Sequence, residues 1–381
     1  MLWFVGVQGL AAVAARGGNP ALAAMFDPDR HPGAAYQLAM VLLAAKQPDQ
    51  SAGLSRPAVL AAPMNVRSVR LLGQALETRD EAAAARVMRA AEKLSWRDTP
   101  TSMWVLRDAA LANDLPRAIN QIDALARRQI QPDLIQQLFQ ASLDDDRSRR
   151  AFAATLGGNP PWRSRFFASM RTSLPPQAHG RMAAMLDLLG KTKSPPSPLE
   201  RMTFIDRMVD VGDGTGARAY WMRTFGIAPA DGTRTPYDPA FRAVATRSKN
   251  APVSPFEWKV GIDADPFVAF QRGAGGPLLA IDPVADGSIT LLTQTLLLTP
   301  GTHRIETDMV RNPVQKAPAG WQVSCVPSGG LLVRGFAKPG DELSGVSVTI
   351  PATGCSVQTL SLVSTDRIGT QPILIRSVSI R

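Results

Sequence analysis

The chain has 381 residues, 45% hydrophobic and 19% charged, and its 42 Lys+Arg against 32 Asp+Glu leave a net charge of +10. That length and apolar content suit two domains with real cores and exclude a disordered chain, a collagen-like repeat or a coiled-coil rod. No internal stretch approaches about 18 uninterrupted apolar residues, which excludes a multi-pass membrane protein, and two cysteines with scattered histidines do not make a structural zinc site.

Residues 1–15 carry no charge, and Arg16-Gly17-Gly18-Asn19 ends the run. A helix of that length rises about 22 Å, short of the roughly 30 Å hydrocarbon core of a bilayer. It suits the apolar region of a signal peptide, with Ala12-Val13-Ala14 as a small-residue cleavage site, although no Lys or Arg precedes it. Residues 1–20 are therefore read as an export or anchoring segment that meets the membrane, with a buried apolar first helix as the alternative.

From 33 to 225 the pattern is helical and rich in Ala, Leu, Met and Arg. The runs 66–79, 81–94, 101–113 and 115–128 carry apolar residues three and four apart, and short joints make neighbours pack antiparallel. Asp80 and Asp114 stand 34 residues apart, as do Ala84 and Ala118, Met88 and Ile122, and Ala91 and Leu125. Leu72-Gly73 precede the first of these units, Ala58 and Pro63 close an earlier one, and Gly212-Asp213 with Ala217 and Trp221 repeats the offsets. At these residues the chain resembles the tetratricopeptide repeat family over 33–128, with a degenerate continuation to 225. Most of that family's aromatic positions hold Leu, Ala or Met here. The resemblance implies a solenoid of helical hairpins whose groove takes a protein or peptide partner.

Three features of this half read as structural. Gly212-Asp213-Gly214-Thr215-Gly216 has no preceding strand and no Gly-Lys-Ser/Thr ending, so it is a repeat turn and not a phosphate loop. Pro160-Pro161-Trp162 reads as a helix start with a packed tryptophan. Asp144-Asp145-Asp146 marks a helix N-terminus, where the dipole favours negative charge. Residues 251–381 hold ten basic and ten acidic residues, so the excess lies in the first 250, at 32 against 22. A basic surface favours lipid headgroups or acidic polysaccharide. The alternative is a general preference for arginine, which supplies 27 of those 32. With no contiguous basic block and no binding motif, nucleic acid is not an expected partner.

Residues 226–255, aperiodic and rich in Pro and Gly, read as a linker. Beyond them, ten strand-like segments (256–260, 267–271, 278–282, 288–298, 302–310, 321–326, 331–336, 346–350, 356–364 and 372–380) alternate with turn signals and no helix. The expected fold is therefore a multidomain α + β chain: a helical-hairpin solenoid followed by an antiparallel β-sandwich, a jelly roll, over 256–381. Residues 294–305 alternate, turn at Pro300-Gly301 and alternate again, which reads as a hairpin. With the closing strand Ile373 to Ile380, that segment resembles the galactose-binding-like carbohydrate-binding modules, although His303 stands where tyrosine is usual. The resemblance implies a sugar site with Trp258 and Trp321 as aromatic faces and Gln271, Arg272 and Gln358 as polar companions. A core position is the alternative for each tryptophan, and Trp321 shares strand parity with Val323 and Cys325. Cys325 and Cys355, 30 residues apart in this one domain, are read as a disulfide of an oxidising compartment, with two buried thiols as the alternative.

No catalytic motif is present: Gly-x-Ser-x-Gly and His-Glu-x-x-His are absent, and His31, His179 and His303 lie in unrelated settings. Glu257, Asp263, Asp265 and the pair Asp341-Glu342 read as solvated loop acids. No cofactor, metal or catalytic residue is expected. The leading expectation is a non-catalytic, periplasmic cell-envelope protein that scaffolds partners and binds glycan, as an accessory to exopolysaccharide assembly or export. An interaction adaptor with a purely structural sandwich comes second, and a polysaccharide-acting enzyme third. Exposed Trp258 and Trp321 favour the first of these, and buried ones the second.

Overall fold

The computed structural model describes residues 13–14, 32–248, 251–282, 289–310, 319–336, 345–364 and 372–381. The expected export or anchoring segment, 1–20, lies outside them apart from Val13 and Ala14. No helix among the described residues is long and apolar enough to cross a membrane. The chain forms two compact units, one ending at Trp162 and one running from Arg163 to Arg381.

The first unit is helical: α1 (Pro32–Ala44), α2 (Pro48–Ala61), α3 (Val66–Leu76), α4 (Glu81–Leu94), α5 (Thr99–Leu111), α6 (Leu115–Arg127), α7 (Pro132–Ala141) and α8 (Asp146–Gly157). Helices α1 to α6 pack as successive pairs. The 34-residue spacing of aspartates is a spacing of helix caps. Asp80 accepts the Ala83 N–H at 2.8 Å to open α4, and Asp114 accepts that of Arg117 at 3.3 Å to open α6. Such caps occupy N–H groups that the helix itself leaves free, and each stabilises by about 1 kcal/mol. The small and large residues between the caps go inward: Ala84, Met88, Ala91, Ile122 and Leu125 are buried. Gly73 on α3 approaches α4 so closely that a Cβ there would lie 2.6 Å from Met88 Sδ.

Arginine ties one helix pair to the next. Arg79 reaches Asp49 at 2.8 Å and Arg107 reaches Glu77 at 2.6 Å, each across 30 residues. Arg128 donates to the Arg97 carbonyl across 31 residues. Beyond α6 the register gives way to ring packing: Phe139 stacks at 4.8 Å on both Phe152 and Trp162, and the Trp162 indole donates to Asp123 at 2.8 Å. Asp145 caps α8 through the N–H groups of Arg147 and Ser148, and Asp146 pairs with Arg149. Trp162 and two members of the acidic triplet thus take the structural roles read from the sequence.

The second unit begins with α9 (Arg163–Ser173), α10 (His179–Leu189), α11 (Pro198–Asp210) and α12 (Gly214–Phe225), followed by the short α13 (Pro229–Gly232) and α14 (Arg242–Thr246). Buried Arg163 holds Glu200 with two hydrogen bonds of 2.8 and 2.7 Å and donates to the Ser194 and Pro195 carbonyls. Asp213, which stands at the same offsets from Ala217 and Trp221 as Asp80 does from Ala84 and Met88, caps α12 through Gly216 N–H and pairs with His179 Nδ1 at 2.8 Å.

Ten strands follow, one at every expected position: β1 (Lys259–Val260), β2 (Val268–Gly273), β3 (Gly276–Ile281), β4 (Ile289–Leu296), β5 (Gly301–Met309), β6 (Ala319–Val326), β7 (Leu331–Phe336), β8 (Val346–Ile350), β9 (Val357–Ser364) and β10 (Ile373–Ile380). They form two antiparallel five-stranded sheets, ordered β1-β4-β9-β6-β7 and β2-β3-β10-β5-β8, packed as a sandwich. The expected hairpin at 294–305 is corrected here. β4 and β5 belong to different sheets, so Pro300-Gly301 carries the chain over the edge of the core and does not return it to its neighbour. A strand alternates identically in either case, because each presents one face to the same core. Cys325 and Cys355 form a disulfide that joins the end of β6 to the approach to β9. This bond points to an oxidising, extracytoplasmic compartment.

Within this unit the helices meet the sandwich directly. A Cβ on Gly214 would fall 2.3 Å from Leu297 and 2.5 Å from Val357, and Ser356 donates to the Gly212 carbonyl at 3.2 Å. The described part of the stretch 226–255, expected as a linker, is packed into the domain that follows. Phe241 and Val244 sit in the sandwich core. The Gln294 amide, itself 1% exposed, clamps Tyr237 by accepting from its N–H at 3.0 Å and donating to its carbonyl at 2.9 Å. Val378 N–H donates to the Pro239 carbonyl at 2.9 Å.

Candidate functional site

The residues expected to form a sugar surface on the sandwich do not share a face. Trp258 is 1% exposed and Trp321 is fully buried; their rings lie 6.1 Å apart inside the core. Each indole N–H has an internal acceptor: Trp258 donates to the Asp238 carbonyl at 3.0 Å, and Trp321 crosses between the sheets to Thr307 Oγ1 at 2.8 Å. Neither ring offers a face to solvent, so the aromatic platform is not at these positions. Gln358 is also fully buried; its side chain accepts from Leu298 N–H at 2.8 Å and donates to the Cys355 carbonyl, bracing the disulfide. Gln271 and Arg272 are exposed, on the edge strand β2 of the other sheet. The inward parity of Trp321 with Val323 and Cys325 is the signal that already favoured the core position.

In the helical unit, a groove of about 270 Å³ lies between α4 and α5, with Ala84 and Ala85 among its lining residues. Trp104 and Leu111 on α5 line it as well, with Glu77, Glu81, Arg107 and Asp108. The groove forms because α4 begins with a run of alanines that leaves space beside the larger side chains of α5. Leu111, the last residue of α5, is 80% exposed, and Trp104 is half-buried.

The polar groups around this groove are not equivalent. Glu77 is held by Arg107, and Asp108 by Arg117 at 2.7 Å. Partial burial works against the Arg117 charge, but hydrogen bonds and charge from Glu92 and Asp108 outweigh it and raise the guanidinium above its usual range. Glu81 makes no ion pair among the described residues, so its carboxylate is available to a ligand. The arrangement offers apolar contact next to an exposed carboxylate with no ion-pair partner among the described residues, which suits an apolar side chain beside a cationic group.

Sequence reasoning missed these residues, although a signal existed: Trp96 and Trp104 are the only aromatic residues between 66 and 128. Trp96, in the α4–α5 joint, is 76% exposed. Among the described residues, no group of three or more His, Cys, Asp and Glu could hold a metal ion. No protein-family model matches the chain, and no curated protein sequence matches it significantly.

Proposed function

We propose that the protein is a non-catalytic adaptor of the cell envelope, working outside the cytoplasm, whose helical unit binds a short segment of a partner protein. The observation that carries the reading is the α4–α5 groove, where exposed Leu111 and half-buried Trp104 line a cavity shared with alanines and the unpaired carboxylate of Glu81. The occupant this chemistry fits is an extended peptide with a bulky apolar side chain next to Lys or Arg. The 34-residue helix pairs support it, since the tetratricopeptide-like arrangement they resemble presents grooves of this kind. The disulfide supports the compartment. The burial of Trp258 and Trp321 favours this adaptor over a glycan scaffold built on those two rings.

A peptide library screened against the full chain tests the reading. Ligands enriched on the wild type should combine an apolar residue with a basic one. Leu111→Ser and Glu81→Lys should each weaken them roughly tenfold, the size expected when one well-placed apolar or charge-assisted contact is removed. Enriched peptides that bind both variants unchanged, or the absence of any enriched peptide, would overturn it.

A further inference from the structure

The packed 226–255 stretch leaves a concavity of about 420 Å³ on the second unit, with Asp231, Arg234, Tyr237, Asp238, Pro239 and Arg242 among its lining residues. Its frame is rigid for reasons unrelated to any ligand. Gln294 clamps the Tyr237 backbone, the Tyr237 ring packs edge-on against buried Trp221 at 5.0 Å, and the Asp238 carboxylate accepts the N–H groups of Arg242, Ala243 and Val244 at 2.7, 2.8 and 3.1 Å. Tyr237 and Asp238, tied to the start of α14, therefore hold one wall of the cavity in place.

The functional groups left over are the informative ones. The Arg242 guanidinium and the Tyr237 hydroxyl have no hydrogen-bond or ion-pair partner among the described residues, although Tyr237 is half-buried. Arg234 and Asp231 meet only loosely, at 3.9 Å. Exposed Arg272 lies on the β2–β3 hairpin, whose Gly276 comes within about 4.0 Å of Arg242, measured from where a Cβ would stand. Burial, and then the charges of Glu257, Asp238 and Asp231, push the Tyr237 phenol above its usual pKa, so it stays a donor.

We propose that this concavity binds an acidic saccharide unit, with Arg242 on the sugar carboxylate and with Tyr237, Arg234 and Asp231 on its hydroxyls. The volume falls in the range of about 300–1,000 Å³ typical of small-ligand sites. A guanidinium without a partner matches a carboxylate with two parallel hydrogen bonds. A sugar ring supplies hydroxyls that both donate and accept, as a lining of mixed carboxylates, guanidinium groups and a phenol requires. Asp231 and Asp238 disfavour phosphate more than a single carboxylate, because its additional negative charge would stand beside them. The proposal does not rest on the α4–α5 groove, and its residues lie in the other unit.

Titration calorimetry on the full chain tests it, with oligogalacturonate, a neutral cello-oligosaccharide and inorganic phosphate as probes. Oligogalacturonate should bind more tightly than either of the others, and added salt should weaken it. Arg242→Met and Tyr237→Phe should each weaken it roughly tenfold or more. Both variants keep the Asp238 cap, the Gln294 clamp and the ring of residue 237, so an unchanged melting temperature is expected. Failure of oligogalacturonate to bind, equal binding of the neutral sugar or phosphate, or unchanged affinity in both variants would each overturn the assignment.

Discussion

The helical repeats and the sandwich are held together over different distances along the chain. In the helical unit, Arg79 finds Asp49 and Arg107 finds Glu77 across 30 residues, and Arg128 finds Arg97 across 31. The first two ties join one helix pair to the next, and the third closes the α5–α6 pair. In the second unit, Gln294 clamps Tyr237 across 57 residues, Gln358 meets Leu298 across 60, and Ser356 meets Gly212 across 144. The cost of closing a loop grows only slowly with its length, but it must be met before any distant contact forms. A repeat can therefore lose one neighbour contact and keep the rest, whereas the sandwich unit depends on a core assembled all at once.

The largest expected effect breaks that core. Trp321→Ala removes a fully buried ring and leaves Thr307 without the indole donor, so it should cost about 3–5 kcal/mol. Denaturant unfolding of the full chain, followed by near-ultraviolet circular dichroism for aromatic packing and far-ultraviolet for helix, should show the aromatic transition move while a helical transition from the first unit keeps its midpoint. A single transition in which both signals fall together would refute this prediction.

A smaller effect sits in the helical unit. Gly73→Ala forces a Cβ against the Met88 side chain and should cost about 1–3 kcal/mol through overpacking, because Met88 is itself fully buried. Pairing it with Met88→Ala should recover part of that loss. Additive destabilisation would show that the contact is not the cause.

The smallest effect contrasts two helix caps by pH. Asp145, at the start of α8, is held below its usual 3.8 by the Ser148 hydroxyl and by backbone N–H groups. It contributes stability above about pH 3.8, and this is lost as pH falls through its lowered folded value. Asp238, at the start of α14, is raised above 3.8 because burial outweighs its three N–H donors and Arg247. Its contribution has the opposite sign: fully present below about pH 3.8, and lost as pH rises through the raised folded value. Stability of wild type minus variant, measured between pH 3 and 7, should therefore slope upward with pH for Asp145→Asn and downward for Asp238→Asn. Equal slopes would contradict the difference in burial.

Much of the architecture was legible from residue order. Period-3.6 runs located α3 to α6, the aspartates 34 residues apart marked positions that prove to be the caps of α4 and α6, the same offsets after Asp213 marked α12, and alternation located every strand. The pairing of Cys325 with Cys355 followed from two cysteines confined to one β domain. The candidate sites were less legible. Trp104 and Leu111 follow the same helical spacing as residues that are buried, and nothing local marks α4 as the helix whose alanines leave room. The stretch 226–255 has no period, because its order comes from elsewhere: Phe241 and Val244 from the sandwich core, Tyr237 from Gln294.

Local patterning thus determined which segments are helix or strand, where the helices begin and which residues seek a core, since caps, turns and amphipathic faces are set by neighbours within a few positions. Only the tertiary structure decided that β4 and β5 part into different sheets, that both candidate tryptophans turn inward, and that an aperiodic stretch becomes the wall of a pocket. Those outcomes depend on which distant surfaces exclude water together, and a strand or a tryptophan carries the same local signal whichever surface it meets.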